Sequence, residues 1–115
     1  MRDYRNTTAY QLARGLVVSV YGSTGGAATT TAALRRAAIA TAANLVEGSA
    51  VPSAGEYLGC LETARAALAE FPRLVNLCQL RGHLTPQAAR LLLAEQAEAS
   101  AALGRLIAEA EALAS

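Results

Sequence analysis

The sequence predicts an all-α protein, folded as an up-down-up-down antiparallel four-helix bundle, and three observations support this. The 115 residues are enough for a single small domain, predicted over residues 1–115. The apolar residues are mostly 28 alanines and 17 leucines, which lose little rotamer freedom in a helix, and only 4% of residues are aromatic. Apolar positions recur at steps of three and four, and no segment alternates as a strand would. Short connections between such segments predict that consecutive helices pack side by side in alternating directions.

The first helix is predicted from about Asn6 to Tyr21, and residues 6–8 all have side chains that can cap it. The Gly-Ser-Thr-Gly-Gly run at 22–26 then ends the helix. This run lacks the Gly-Lys-Ser/Thr ending of a phosphate-binding loop, so it is predicted to be a flexible connection. The inward-facing stripe of the helix is expected at Tyr10, Ala13, Val17 and Val20.

The second helix is predicted from about Thr30 to Glu47. Gly48 is placed to end it in the left-handed conformation, and Pro52 follows shortly after. The buried stripe is expected at Leu34, Ala38, Thr41 and Leu45.

The third helix is predicted to open at Ser53, because Ser53 and Glu56 have the spacing of a capping box, and to end at Gly82. Pro72 lies inside it and predicts a kink near residues 68–72. One stripe steps by four and three, and further leucines widen it enough to suggest that more than one face is buried. The stripe is Tyr57, Leu61, Ala64, Leu68, Phe71, Val75 and Cys78, and the additional leucines are Leu58, Leu74, Leu77 and Leu80.

The fourth helix is predicted to open at Thr85 and Pro86, because threonine suits the cap and proline the first helical position. Its stripe contains a single polar residue, Gln96. The stripe runs through Leu92, Gln96, Ala99, Leu103, Leu106, Ala110 and Leu113.

The charge is uneven although the net charge is only +1. All ten basic residues are arginine, and the first 46 residues carry five of them against a single acid. This imbalance favours an anionic partner, so RNA or DNA binding is a candidate function. The candidate nucleic-acid-binding residues are Arg2, Arg5, Arg14, Arg35 and Arg36. For Arg35 and Arg36 a second interpretation stays open, an ion pair with the third helix, in which Arg36 lies within a turn of Glu62.

The composition argues against an enzyme. One histidine, one aspartate and no tryptophan leave too few groups for most catalytic or metal-binding constellations, so we expect no catalytic residue, metal or cofactor and no small-molecule substrate. No apolar run approaches a membrane span. Cys60 and Cys78 are expected on one helix, too far apart for a disulfide, which favours the cytoplasm. A small core poor in bulky side chains makes homo-oligomerisation plausible.

Three segments resemble one known family. They are TTTAALRRAAIATAANLVEGSA (29–50), EYLGCLETARAALAE (56–70) and LRGHLTPQAARLLL (80–93). They are similar to the segments S-Q-I-R-R-A-A-x-S-I-P-x-N-I-A-E-G, E-F-x-x-F-L-x-I-A-R-G-S-L-A-E and D-L-G-Y-L-S-x-E-x-x-x-x-L of the four-helix bundle proteins also called 23S rRNA intervening-sequence proteins. Ala42 replaces the proline that family members carry in the second helix.

The resemblance implies a four-helix bundle that assembles as a ring-like homopentamer. Its matching motif positions are Asn44, Glu47, Gly48 and Arg65, for which we expect structural roles. A related branch, accessory proteins of diversity-generating retroelements, binds nucleic acid and a reverse transcriptase, but it is much more basic than this chain. The function hypothesis is therefore a non-enzymatic, self-assembling bundle that binds RNA or DNA through its first two helices. The alternative is an oligomeric scaffold that binds protein only.

Overall fold

A computed structural model describes residues 2–114 as four α-helices preceded by a single turn of 3-10 helix at Tyr4–Asn6. The helices are α1 (Thr8–Ser23), α2 (Thr29–Ala50), α3 (Ala54–Leu80) and α4 (Pro86–Ala114). Each consecutive pair packs together and α4 also packs against α1, so the helices surround one core. The described molecule measures 46 × 22 × 20 Å. The described residues contain no strand, which confirms the all-α prediction.

The core is a layer of leucine set among alanine, with one aromatic ring. The largest side chains with no more than 1% exposure come from all four helices, and Phe71 is among them. Alanines fill the positions between them, which lets neighbouring helix axes approach closely. The buried leucines and isoleucine are Leu16, Leu34, Leu61, Leu68, Leu92, Leu103 and Ile107.

Helix α1 begins as predicted but is rotated from the predicted orientation. Thr7 caps it, because its side-chain oxygen accepts a hydrogen bond from the Tyr10 N–H at 3.2 Å. The predicted stripe is wrong in part: Tyr10 and Val17 are only half-buried, whereas Leu16 is completely buried. The α1 segment is apolar on adjacent faces, so packing against α2 and α4 sets its rotation, and periodicity alone does not.

Helix α2 buries the predicted stripe but ends later than predicted. The side chains of Leu34, Ala38 and Thr41 are at most 1% exposed, and that of Leu45 is 3% exposed. The prediction that Gly48 ends the helix in the left-handed conformation is wrong. The helix continues to Ala50, and within residues 2–114 only Gly26 and Gly82 have positive φ. Gly48 is instead buried against α3.

Helix α3 begins at the predicted cap, where Ser53 Oγ accepts a hydrogen bond from the Glu56 N–H at 3.1 Å. It continues through Pro72 as one helix. Proline has no N–H, so the Leu68 carbonyl lacks its usual helical donor. Gln96 of α4 supplies a donor instead, through Nε2 at 3.2 Å. The polar residue in the α4 stripe therefore compensates for the proline in α3.

The connection between α3 and α4 follows the predicted chemistry. Gly82 has a φ of 77°, its N–H donates to the Gln79 carbonyl, and the His83 N–H donates to the Cys78 carbonyl. These two bonds form a Schellman motif, which satisfies carbonyls at the helix end. Thr85 caps α4 by accepting from the Ala88 N–H at 3.1 Å.

The predicted stripes of α3 and α4 are wrong at two outer positions, and five further members are only half-buried: Tyr57, Leu58, Leu77, Gln96 and Leu106. Leu80 is 85% exposed because it lies in the last turn of α3, and Leu113 is 88% exposed near the end of α4. The remaining α3 stripe from Leu61 to Cys78 is buried.

Both cysteines are free. Burial raises the pKa of the Cys78 thiol. Among residues 2–114, no helix is both long enough and apolar enough to span a bilayer.

Candidate interaction surface

Arg2 lies at the end of the bundle where α2 turns into α3, and its polar groups are already occupied. Its N–H donates to the Ser49 carbonyl at 2.9 Å, and its guanidinium donates to the Val51 carbonyl at 3.0 Å. The guanidinium also lies 4.2 Å from the centre of the Tyr57 ring. Burial raises the pKa of Tyr57, and the charge of Arg2 opposes this rise. Arg2 thus fixes the N-terminal segment against the α2–α3 turn.

Arg35 is half-buried and holds the loop between α1 and α2. Its Nε donates to Thr24 Oγ1 at 3.2 Å, and its Nη1 donates to the Gly26 carbonyl at 3.1 Å. The guanidinium also lies 5.2 Å from the centre of the Tyr21 ring. Arg35 therefore orders the glycine-rich connection, which leaves less of its hydrogen-bonding capacity for a ligand.

The other candidate arginines are exposed. Arg5 lies over the Tyr4 ring, 5.5 Å from its centre. The side chains of Arg14 on α1 and Arg36 on α2 form no hydrogen bond or ion pair within residues 2–114. Among the candidate arginines of the described residues, these two have guanidinium groups with neither a hydrogen bond nor a ring contact, and that of Arg5 has the ring contact alone.

The expected ion pair between Arg36 and the third helix does not form. Glu62 pairs instead with Arg65 of its own helix, at 2.7 Å. Positions three apart on a helix are neighbours, so this pair forms without any contribution from α2. Both side chains are about half exposed, and such a pair contributes at most about 1 kcal/mol.

An open apolar groove of about 300 Å³ runs between α1 and α2. Arg14 is the one charged residue that lines it. The remaining lining residues are Tyr10, Val17, Ile39, Ala42, Ala43 and Val46. Among the described residues, four of the seven large apolar side chains that are well exposed lie on these two helices: Val18, Tyr21, Ile39 and Val46. This concentration of exposed apolar area is typical of an interaction surface.

The motif residues at the end of α2 differ in their surroundings. Asn44 is half-buried, and its side-chain amide donates to the Ala40 carbonyl one turn earlier, at 2.8 Å. Glu47 is exposed and forms no ion pair within the described residues. Among the described residues, neither the Asn44 nor the Glu47 side chain forms a hydrogen bond with a nucleophilic side chain or with a second acidic side chain.

Gly48 is buried where α2 packs closely against α3. A Cβ atom placed on it would lie 3.1 Å from Tyr57 Cδ1 and 3.2 Å from Cys60 Cβ. The Tyr57 ring is in turn held by Arg2. A side chain at position 48 would therefore push α3 away from α2.

We expect Gly48→Ala to lower the free energy of unfolding by about 1 kcal/mol. Overpacking costs about 1–3 kcal/mol, and the better helix propensity of alanine offsets about 1 kcal/mol of it. Gly59→Ala is the matched control, because Gly59 is exposed in α3 with open space around it. The control is expected to gain up to about 1 kcal/mol. Urea unfolding followed by circular dichroism measures both, and equal changes would contradict the close approach.

The sequence interpretation missed the apolar groove. Ile39 and Val46 stand outside the predicted buried stripe of α2, seven residues apart, and so on one helix face. Two β-branched apolar residues on the outer face of an amphipathic helix indicate that this face contacts something, and the sequence therefore contained a sign of this surface. The partners of Arg2 carry no such signal, because Val51 lies 49 residues away in the chain.

Within the described part of the chain, no group of three or more His, Cys, Asp or Glu side chains lies close enough together to hold a metal ion. No protein-family model matches the chain, and no curated protein matches it either.

Proposed function

We propose that this protein is a non-enzymatic, self-assembling four-helix bundle that acts as an interaction module in the cytoplasm. The observation that carries the proposal is the apolar groove between α1 and α2 with its exposed neighbours Ile39 and Val46. A bundle with so few bulky core side chains gains stability by covering such a surface with another copy. The family resemblance implies five copies in a ring.

An up-down-up-down arrangement is part of this proposal. Ser19 of α1 donates to Glu95 of α4 at 2.8 Å, while Ala9 lies near Ala102 and Leu106 around a shared pocket. The start of α1 therefore lies beside a later part of α4 than the end of α1 does. This order supports antiparallel packing of α1 and α4. Short connections support the same alternation for the other pairs.

The groove predicts that self-assembly depends on apolar contact at Ile39. We expect Ile39→Asp to reduce the assembled mass seen by light scattering, because it places a charge in an apolar contact. Leu80→Asp is the matched control, since Leu80 is exposed on α3, away from the groove. An oligomer that Leu80→Asp disrupts and Ile39→Asp leaves intact would contradict the assignment of this surface. A wild type with the mass of one chain would contradict self-assembly itself.

Binding of RNA or DNA is the second candidate function, and the unpaired Arg14 and Arg36 favour it. Against it, Arg2 and Arg35 already bond to backbone carbonyls. The structure therefore supports the protein-only scaffold better than the nucleic-acid module.

Fluorescence anisotropy with labelled RNA and duplex DNA at several salt concentrations separates the two functions. The double variant Arg14→Ala/Arg36→Ala is compared with Arg65→Ala/Arg73→Ala, which removes the same charge from α3. The scaffold predicts no binding at low salt. Binding that weakens with salt and is lost only in the α1–α2 variant would establish phosphate contacts on this surface.

A further inference from the structure

We propose that α2 pairs antiparallel with the α2 helix of a second copy across a two-fold axis, through the outward stripe Arg36, Ala40, Ala43 and Glu47. This pairing rests on the proposed self-assembly and names one contact through which two copies meet, separate from the contacts that would close a five-membered ring. The observation behind it is a charge pattern that is complementary to itself.

On an ideal helix the four stripe residues fall on the side opposite the buried positions. Steps of four, three and four residues keep them within about 60° of one another around the helix. The buried positions Leu34, Ala38, Thr41 and Leu45 occupy the opposite side. Arg36 and Glu47 are exposed, and Ala40 and Ala43 between them are half-buried. The stripe is therefore open to a partner helix along its length.

The charges at the two ends of the stripe select the orientation of the partner. Arg36 and Glu47 lie eleven residues apart, about 16 Å along the axis, and neither has an ion-pair partner among residues 2–114. In an antiparallel pair centred between residues 41 and 42, each Arg36 faces the Glu47 of the other copy. Two ion pairs form by symmetry, as an isologous contact requires. A parallel pair would place like charges together.

The residues between the charges suit a close helix contact. Ala40 of each copy meets Ala43 of the other, and side chains this small allow the axes to approach to about 8 Å. The two-fold axis places both α1 helices on the same side of the contact. Ile39 and Val46 project toward that side, where both line the groove. In this register Ile39 lies level with residue 44 of the other copy, and the Val46 of that copy is two residues, about 3 Å, further along the axis. Apolar surface that is exposed at Ile39 and Val46 in the single chain therefore lies beside the contact.

A two-fold contact doubles the number of copies, from one to two, or from five to ten where the five-membered ring also forms. It also covers Arg36, so nucleic acid and the second copy compete for the same guanidinium.

Charge reversal with rescue tests the pairing, with assembly measured by light scattering and sedimentation velocity. The variants are Arg36→Glu, Glu47→Arg and the double exchange. We expect each single variant to raise the dissociation constant at least about tenfold, because both ion pairs become repulsions. The double exchange restores wild-type assembly, since the carboxylate introduced at position 36 then faces the guanidinium introduced at position 47. Arg73→Glu on α3 is the control, and it leaves assembly unchanged. Circular dichroism confirms that each variant is folded.

The outcomes separate this pairing from the proposed function. A wild type that stays a single chain contradicts both. An assembly that none of the three variants alters contradicts the α2 pairing and leaves self-assembly standing. Single variants that dissociate without rescue in the double exchange contradict the direct pairing of Arg36 with Glu47. A further outcome is assembly that appears only with added RNA and is lost with Arg36→Glu, both in the wild type and together with Glu47→Arg. That result assigns the stripe to nucleic acid.

Discussion

Replacing Leu16 with alanine is expected to lower the free energy of unfolding by about 2–5 kcal/mol, whereas Val17→Ala is expected to cost less than about 1 kcal/mol. Leu16 has no exposed surface and lies among the buried residues of the core, so its removal leaves a cavity. Val17 is half-buried and lines the open groove, so water replaces its lost methyl groups. Urea unfolding followed by circular dichroism measures both changes.

The comparison of Leu16 with Val17 tests the rotation of α1 about its own axis. The predicted stripe placed Val17 inside the bundle, and under that orientation Val17→Ala would be the more damaging change. Equal or reversed costs would therefore contradict the orientation of α1. Because Val17 also borders the candidate interface, unfolding is measured at two protein concentrations. A loss of assembly depends on concentration, and a loss of core packing in the single chain does not.

The caps of α1, α3 and α4, the end of α3 and most of three of the four buried stripes follow from the sequence because their causes are local. Thr85 and Gly82 act within their own turns, through one hydrogen bond or one backbone conformation. The α2 stripe stands out because, apart from Ile39, charged or small residues separate its members. Helix α1 differs, since residues 16–18 and 20 are all apolar and several rotations bury a similar area. The rotation of α1 about its own axis is determined only when α1 packs against α2 and α4.

At the candidate surface too, contacts between residues close in the chain could be predicted from the sequence, and contacts between distant residues could not. The Glu62–Arg65 pair depends on a three-residue spacing, so the sequence contains all the information that it needs. Arg2 and Arg35 bond to carbonyls whose positions the folded chain sets. Gly48 resembles a helix stop because a proline follows it four residues later. Its close contact with Tyr57 and Cys60 exists only once α3 has packed against α2.

Gln96→Met is expected to destabilise the protein by about 1–3 kcal/mol, which is the cost of leaving a buried carbonyl without a donor. Leu68 is 1% exposed, and its carbonyl accepts from Gln96 Nε2 at 3.2 Å. Methionine keeps the length of the side chain and removes the donor. Gln87→Met is the control, because Gln87 is exposed in the first turn of the same helix, and it is expected to change little.

Pro72→Ala is expected to remove the need for Gln96. It restores an N–H that can donate to the Leu68 carbonyl and takes proline out of the helix interior, so stability rises by up to about 3 kcal/mol. In that background Gln96→Met should cost close to nothing, which gives a coupling energy of about 1–3 kcal/mol in a double-mutant cycle. If Pro72 and Gln96 did not both act on the Leu68 carbonyl, the changes in the free energy of unfolding from the two substitutions would be additive. Additivity would therefore show that Gln96 does not compensate for Pro72, and coupling would show that a polar residue in the α4 stripe supplies the donor that a proline one helix away removes.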